Sequence, residues 1–293
     1  MPRKTLEPVS DPRFSAFRHA SAPGRFNLQA VDPAARPFGA PLNGAGNGKA
    51  REAARAAEKE AVEALAAELE TLQNLFYADG RFGLLIVLQG MDASGKDGTI
   101  RGVFGRMNAL GVHATSWKVP TETERQHDFL WRIHPRMPAR GEVSLFNRSH
   151  YEDVLVPAVA GTLEGDALAA RYRAINDFER LLVDEGTVVL KFMLHISKEE
   201  QRERLQARLD DPAKRWKFSL GDLDVRRQWD RYQAAYADAI SATGTAWAPW
   251  IVVPADSKTH RNRMIGTRVV EAMRALQLRE PTGDPGLEGL VVE

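Results

Sequence analysis

The residues whose types and spacing could do chemistry lie first in the stretch VLQGMDASGKDGT, residues 87–99. Gly90, Gly95 and Lys96 stand where a phosphate-binding loop would have them. In such a loop the glycines leave room for backbone N–H groups to surround a phosphate, while a lysine ammonium and a helix terminus face its charge. The spacing therefore predicts a phosphate site. The alternative is a simple glycine turn with an exposed lysine.

Acidic residues in the same stretch predict a metal site. Asp97 occupies the position where such a loop normally has a magnesium-binding Ser or Thr, and Thr99 comes too late in the chain to replace it. Other oxygens must therefore hold the metal. Asp92 is the carboxylate nearest in sequence to the position where the phosphates would bind. Because Mg²⁺ is usually bound by one or two carboxylates together with phosphates and waters, we expect Asp92 to hold it.

A second segment, VSLFNRSHYEDVLV at 143–156, follows another predicted strand. Asn147 stands where related nucleotide-binding folds place a second metal-binding acid. We expect Arg148 to contact phosphate and Glu152 to be the second metal carboxylate, either as a direct ligand or through the water shell. The alternative is that Glu152 and Asp153 only complement the positive end of the helix they begin.

A third segment, RERLQARLDDPAKRWKFS, is rich in basic residues. Arg204 and Arg208 share a helix face because they are four residues apart, and the loop that follows contains Lys214, Arg215 and Lys217. Such a cluster could close over phosphates and stabilise a transferring phosphoryl group. The alternative is a solvated face whose basic residues pair with neighbouring acids.

The elements that must position these residues alternate between buried strands and helices. A strand at 84–88 and a helix at about 96–109 flank the first loop, as a phosphate-binding loop requires. The alternation predicts an α/β fold with a parallel sheet covered on both faces and ligands at the carboxyl ends of its strands. Further strands are predicted at 113–118, 142–146, 187–196 and 250–253, and further helices at about 197–209, with the capping-box pattern SKEE, and 223–242.

The two ends of the chain differ from this pattern. Residues 1–50 are rich in Pro, Gly and Ala, have seven Lys and Arg against three acids, and are predicted to form an extended basic arm. A helix over 51–79 has one apolar face, at Val62, Leu65, Leu69, Leu72 and Phe76. We expect that face to pack on the main domain; a dimerising coiled coil is the alternative. Residues 279–293 are predicted to be a peripheral tail.

Composition excludes several classes of function. The 293 residues contain no cysteine, which excludes disulfides, thiol nucleophiles and Cys-ligated zinc. The net charge is only +1, so a polyanion would have to bind a local basic patch. No HExxH or GxSxG motif is present. There is no membrane-spanning apolar run and no secretory signal pattern, so we expect a cytoplasmic protein.

Several separated motifs together resemble the polyphosphate kinase 2 family. They are GMDASGKDGTI, HDFLWRIHPRMPARGEVSLFNRSHYEDVLV, HISKEEQRERLQARLDDPAKRWKFSLGD and WIVVPADSK, and the resemblance covers about residues 55–278. It implies a P-loop kinase fold similar to thymidylate kinase over 51–278, with a central parallel sheet, flanking helices and a basic lid at about 200–222. It also implies Mg²⁺-dependent phosphoryl transfer between inorganic polyphosphate and nucleoside mono- or diphosphates.

The resemblance and the local motifs together assign roles to individual residues. Those carried over from the family are Asp92, Lys96, Lys118, Arg148, Arg204, Arg208 and Lys217; the others follow from the motifs. The expected catalytic residues are Asp92, Lys96 and Arg148, and the metal ligands are Asp92 and Glu152; many family members have Asp where Asn147 stands. FNRSHYEDVL resembles the branch that accepts both nucleoside mono- and diphosphates. A homo-oligomer, a dimer or tetramer, is implied as well. The expected phosphate and polyphosphate contacts are Gly90, Ala93, Ser94, Gly95, Asp97, Gly98, Lys118, Arg204, Arg208, Lys214 and Lys217.

Two other functions are compatible with parts of the sequence. An ATP-dependent kinase on the same scaffold would be favoured by a hydroxyl at position 97, where Asp97 stands instead. A binding module without turnover could stack nucleic-acid bases on Trp216 and Phe218, but the loop and its carboxylates would then be idle. We therefore expect polyphosphate and nucleotide partners, with neither nucleic acid nor membrane.

Overall fold

The apolar runs of the sequence form a six-stranded sheet, in which β2 (Gly83–Gln89) is buried along its whole length. The computed structural model describes residues 11–20, 25–39, 48–283, 286 and 290–292, without the side chains of 49–51. The strand order is β1-β6-β5-β2-β4-β3, and all neighbours are parallel except β1 and β6. The predicted parallel α/β sheet is therefore confirmed. The other strands are β1 (Arg18–His19), β3 (Val112–Ser116), β4 (Val143–Asn147), β5 (Thr187–His195) and β6 (Trp250–Pro254).

The helices form two groups that pack among themselves, as expected for a sheet covered on both faces. One group contains α1, α2 and α9, and the other contains α4, α5 and α8. The helices are α1 (Gly48–Asp79), α2 (Lys96–Val103), α3 (Glu122–Arg125), α4 (Glu152–Ala160), α5 (Gly165–Asp184), α6 (Lys198–Asp210), α7 (Leu220–Arg227), α8 (Trp229–Thr243) and α9 (Lys258–Ala275).

Two predicted helices differ from the helices in the structure: one is shorter and the other is divided in two. The helix predicted over 96–109 stops at Val103, because Phe104 caps it and Gly105 follows. The helix predicted over 223–242 is two helices, α7 and α8, which meet at Gln228, whose φ of −93° and ψ of 22° interrupt the helical path.

Helix α1 packs its apolar face on the body of the protein. Leu69 and Phe76 are fully buried, and Val62 is 8% exposed. The helix lies against α9. The prediction that this face packs on the main domain is confirmed.

The described parts of the N-terminal segment belong to the folded body, contrary to the extended arm predicted for residues 1–50. Phe14 is fully buried and Phe38 is 6% exposed. Strand β1 extends the sheet beside β6. Arg36 and His260 both bind the buried carboxylate of Glu58 on α1. Apolar side chains separated by polar residues thus anchor this segment, although their spacing has no regular period. The prediction for residues 1–10, 21–24 and 40–47 lies outside the described residues.

The described residues at the other end agree with a peripheral position. Residues 279–283 are exposed, and the remainder of the predicted tail is described only at 286 and 290–292. Arg279 donates its backbone N–H to Asp79 Oδ2 at 2.6 Å. Across the described part of the chain, no helix combines the length and the apolar character that crossing a bilayer would require.

Candidate active site

The glycine-rich loop, residues 90–95, joins the carboxyl end of β2 to the first residue of α2. Gly90 has a φ of +145° and Gly95 a φ of +104°, which are left-handed values that glycine adopts without strain. A side chain at Gly95 would also collide with a neighbour, since its Cβ would lie 1.9 Å from Arg261 Nη1. Both backbone conformation and close packing therefore require glycine at this position.

The carbonyl groups of this loop accept hydrogen bonds from a side chain of the same segment and from a side chain on α6. Lys96 donates its ammonium to Gly90 O at 2.6 Å and to Met91 O at 3.1 Å. Gln201 on α6 donates its amide to Asp92 O at 3.0 Å. The backbone N–H groups of the first residues of α2 have no partner within the helix, because they lie in its first turn, and are available to an anion.

Two buried arginines complete this support. Arg204 donates Nη1 to Ala93 O at 3.0 Å and to Ser94 O at 3.2 Å, and Nη2 to two carbonyls that follow β6. Arg261 on α9 donates Nη1 to Ser94 O at 3.0 Å. Burial, followed by the charge of Arg204, lowers the pKa of Arg261 to about 9. Among the described residues Arg261 has no carboxylate partner, so its positive charge would favour an anion nearby.

Lys96 is 7% exposed and lies among charged groups. The pKa of Lys96 is lowered to about 8, chiefly by burial and then by the positive charge of Arg148, while Asp92, Glu152 and Asp97 oppose the shift. A bound phosphate would reverse this effect, because a nearby negative charge favours the ammonium form.

Arg148 lies between the two carboxylates predicted to bind metal. Its Nη2 is 2.5 Å from Asp92 Oδ1, and its Nη1 is 2.8 Å from Glu152 Oε2. These two charges, Glu152 first, raise the pKa of Arg148 above its usual range. Gln89, at the end of β2, donates its amide to Glu152 Oε1 at 2.9 Å. The Arg148 guanidinium is therefore held by carboxylates that follow the carboxyl ends of β2 and β4.

The carboxylates differ in what they can still bind. Both oxygens of Glu152 are occupied, by Arg148 and Gln89, whereas Asp92 Oδ2 has no partner among the described residues. In the described part of the chain, no group of three or more His, Asp or Glu side chains could hold a metal alone. A site built from Asp92 and substrate phosphates still fits Mg²⁺, which prefers oxygen ligands and usually takes few from the protein.

Asp97 and Asn147 bind each other, with the Asn147 amide donating to Asp97 Oδ1. Asn147 lies at the end of β4, opposite Leu88 of β2. Thr99 is buried and faces Asn262, to which its hydroxyl donates at 3.3 Å. The pair at 97 and 147 thus connects β4 to α2.

Glu152 and Asp153, adjacent in sequence, point to different partners. Asp153 accepts a hydrogen bond from Arg132 Nη2 at 3.0 Å. Glu152 alone contacts Arg148. Both lie in the first turn of α4, so the helix-terminus interpretation applies to each, but only Glu152 joins the cluster at the loop.

The basic residues predicted for the lid are not equivalent. Arg204, predicted to contact polyphosphate, is buried, and its described contacts are to Glu200 and to backbone carbonyls. Arg208 lies 3.7 Å from Asp222 Oδ2 and is partly exposed. Lys214 is exposed and 2.5 Å from Asp211, and Lys217 Nζ lies 5.0 Å from the Trp216 ring centroid. The lid residues that could reach a ligand are therefore those from Arg208 onward.

Lys118 and Gly98 complete the predicted set. The Lys118 side chain is exposed beyond the end of β3, while its carbonyl accepts a hydrogen bond from Arg132 at 2.9 Å. Gly98 lies in the first turn of α2, where an added Cβ would be 3.4 Å from Arg261 Nη2. Among the described residues, no hydrogen bond or ion pair joins either of them to the side chain of Lys96 or Arg148.

Comparison with known proteins identifies the family. The family model described as polyphosphate kinase 2 matches residues 52–281. The chain belongs to the polyphosphate kinase 2 family. An AMP/ADP-polyphosphate phosphotransferase of Meiothermus ruber is 48% identical over 270 residues, which are 92% of this chain and 97% of the relative. An ADP-polyphosphate phosphotransferase of Rhodopseudomonas palustris is 42% identical over 74% of this chain and 79% of its own length.

A solved structure agrees with this membership. The crystal structure of polyphosphate kinase 2 from Arthrobacter aurescens TC1 has a TM-score of 0.83 and 42% sequence identity, and the match covers 94% of this chain and 93% of that one. This member of the polyphosphate kinase 2 family therefore has the P-loop kinase fold, as predicted from the motifs.

Sequence reasoning missed three polar residues around the cluster. Arg261 and Gln201 support the loop, and neither belongs to a recognisable phosphate motif. Asp222 caps α7 together with Ser219. Burial raises the pKa of the Asp222 carboxyl, and the negative charge of Asp92 raises it further. Only the capping pattern SLGD at 219–222 could have drawn attention to Asp222.

Proposed function

We propose that this protein transfers phosphoryl groups between inorganic polyphosphate and both AMP and ADP, with Mg²⁺. The observation that carries the proposal is the group of Lys96, Arg148 and Asp92 beside a loop whose carbonyls accept hydrogen bonds from buried side chains. The names of relatives 42–48% identical to this chain support polyphosphate as the donor and adenine nucleotides as acceptors.

The reaction needs positioning more than acid–base chemistry. The terminal phosphate oxygen of the acceptor is already ionised at neutral pH and attacks the end phosphorus of polyphosphate in line. A new P–O bond forms as the bond to the bridging oxygen breaks, and the shortened polymer keeps that electron pair. Lys96, Arg148 and the loop N–H groups neutralise and align the transferring group, which is where most of the acceleration arises.

Asp92 would hold Mg²⁺ through its second carboxylate oxygen. When bound, the ion would neutralise charge on the phosphate oxygens. Of the two predicted roles for Glu152, this proposal keeps the one through the water shell: with both oxygens engaged, Glu152 orients Arg148 and would reach the metal only through water.

The polymer is proposed to follow the basic residues of the lid. Arg208, Lys214 and Lys217 lie on or beside the loop between α6 and α7. Their side chains are at least partly exposed, as binding a long polyanion requires. Arg204 supports the loop from behind and is not assigned a polymer contact.

The decisive experiment uses purified protein, Mg²⁺, polyphosphate and either AMP or ADP, with ATP absent. We expect ADP and ATP to form from AMP, and ATP to form from ADP. Lys96→Ala, purified in parallel, excludes a contaminating enzyme. Phosphorylation from ATP with no product from polyphosphate would instead favour the ATP-dependent kinase.

Assembly and location stay predictions. A homo-oligomer is expected, and light scattering during size-exclusion chromatography would measure its mass. A cytoplasmic location is expected as well, and fractionation of the source cells would test it.

A further inference from the structure

A buried charged network lies under the segment that carries Arg148. Lys191 stands in the middle of β5, a central strand whose other interior residues are apolar, and it is 1% exposed. Its ammonium donates to Glu179 Oε2 at 2.6 Å, to the Tyr151 hydroxyl at 2.9 Å and to Thr243 O at 2.7 Å. All three ammonium hydrogens can therefore be used inside the protein.

The carboxylate of Glu179 connects this lysine to the segment after β4. Glu179 Oε1 accepts the Tyr151 hydroxyl at 2.8 Å, and His150 Nε2 lies 3.4 Å from the same oxygen. Tyr151 and Glu179 are fully buried. The network thus links β5, α5, the end of α8 and residues 150–151.

Stability alone does not account for such a network. Removing two charges from water costs free energy that their attraction often fails to recover, and apolar replacements of buried ion pairs are frequently neutral or stabilising. The proposed reaction gives no direct role to Lys191, Glu179 or Tyr151 either, because none of them contacts the glycine-rich loop.

The network lies beside a backbone segment, residues 148–152, whose conformation needs support from its surroundings. Arg148 has a φ of +63°, a left-handed conformation that a residue with a side chain keeps only when its surroundings enforce it. On one side its N–H donates to Leu88 O at 3.0 Å. On the other side the chain reaches Tyr151, which immediately precedes Glu152 and begins the turn into α4. Arg148 and Glu152 must both be placed correctly for their 2.8 Å contact to form.

We propose that Lys191, Glu179 and Tyr151 form a positioning network that fixes the backbone of residues 148–152, and thereby sets the Arg148 guanidinium between Asp92 and Glu152. The three are positioning residues and do not touch substrate. This inference rests on the proposed function for its kinetic test, but its structural test is independent of turnover.

The chain offers a matched pair of substitutions. Tyr151→Phe removes a buried hydroxyl that belongs to the network. Tyr172→Phe removes a hydroxyl on α5 that is also buried, in a side chain 8% exposed, but which has no hydrogen-bond partner among the described residues. The two variants lose the same atom, so they differ chiefly in the network itself.

We expect Tyr151→Phe to lower kcat by about tenfold, as is typical when a group that orients an active residue is lost, with KM for ADP changed by less than about twofold. Tyr172→Phe should retain the wild-type kcat. Hydrogen–deuterium exchange should show faster exchange of the amides at 147–152 in Tyr151→Phe only.

A second variant separates positioning from folding. Lys191→Met combined with Glu179→Gln replaces the ion pair by neutral side chains of similar volume, which leaves no unpaired buried charge. We expect it to fold, as judged by circular dichroism and thermal unfolding, and to show the same loss of kcat and the same faster exchange at 147–152.

The experiments distinguish failure of the positioning role from failure of the proposed function. Wild-type kcat and wild-type exchange at 147–152 in both network variants would overturn the positioning role and leave the network a structural feature. A wild-type protein without polyphosphate-dependent turnover would overturn the proposed function, while the exchange comparison between Tyr151→Phe and Tyr172→Phe would still decide the inference.

Discussion

Basic side chains on the two sides of the glycine-rich loop have opposite environments. Behind the loop, Arg204 and Arg261 are 9% and 2% exposed and give their hydrogens to backbone carbonyls and neighbouring side chains. In the lid, the Lys214 side chain is 60% exposed and its described partner is Asp211. The buried pair builds the site, whereas exposed lysines remain available to bind a ligand. Charge alone therefore does not identify a ligand contact.

The largest effect should come from the ligand side of the loop. Asp92→Asn should lower kcat about 10²–10³-fold, the usual cost of losing one preorganised electrostatic contact, because an amide is a weaker Mg²⁺ ligand and a weaker partner for Arg148. Steady-state kinetics at several Mg²⁺ concentrations would measure this. Asp153→Asn, the matched control, should have little effect because Asp153 pairs with Arg132. Near wild-type turnover of Asp92→Asn at limiting Mg²⁺ would remove Asp92 from the metal site.

Behind the loop, substitution should affect folding as well as activity. Arg204→Ala leaves the carbonyls of Ala93, Ser94, Ala255 and Asp256 without this donor, and should lower the free energy of unfolding by about 3 kcal/mol. Lys214→Ala should change it by less than about 1 kcal/mol, because exposed ion pairs contribute little. Urea denaturation of both variants measures the difference, and equal values would contradict the distinction between support and lid.

In the lid, the expected loss is specific to the polymer. Arg208→Ala combined with Lys217→Ala should weaken long-chain polyphosphate binding and reduce the logarithmic salt slope by roughly two, by analogy with nucleic acids, where each contact releases about one counterion. Affinity for AMP should change much less. Equilibrium binding at several salt concentrations would measure both.

A matched control for the lid variant changes two exposed arginines elsewhere. Arg140→Ala combined with Arg173→Ala removes the same number of positive charges outside the lid and the loop. It should leave the salt slope unchanged. If both double variants lost polyphosphate affinity to the same extent, the effect would come from overall charge and not from a groove in the lid.

The smallest expected effect is a pH dependence. The pKa of Lys96 in the folded protein is lowered to about 8 from 10.5, so between these values the unfolded chain binds more protons and the free protein gains stability as pH rises. Phosphate favours the ammonium form, so polyphosphate affinity should fall severalfold as pH rises through about 8. Calorimetric titrations from pH 7 to 9 would measure proton uptake on binding. Lys96→Met should remove that uptake, and an unchanged uptake would assign it to another group.

The local sequence determined the centre of the site. A buried apolar strand, a glycine loop and a helix follow one another within residues 83–103, so their geometry depends on short-range sterics and backbone hydrogen bonding. Arg148 and Glu152 are also close in sequence, but their contact depends on the left-handed backbone of Arg148 and not on helical spacing, because α4 begins only at Glu152.

Only the tertiary structure decided which charged residues support the loop and which remain free to bind. Arg261 reaches Ser94 across 167 residues of sequence, and Gln201 reaches Asp92 across 109. Arg204 and Arg208 have the same one-turn spacing that predicted a shared lid face, yet Arg204 is buried behind the loop because the chain after β6 supplies two carbonyls to it. The N-terminal segment differs for a similar reason: the burial of Phe14 and Phe38 depends on contacts with distant elements, which no local period records. Burial and long-range hydrogen bonds, which arise only when the sheet assembles, therefore separate residues that sequence spacing treats alike.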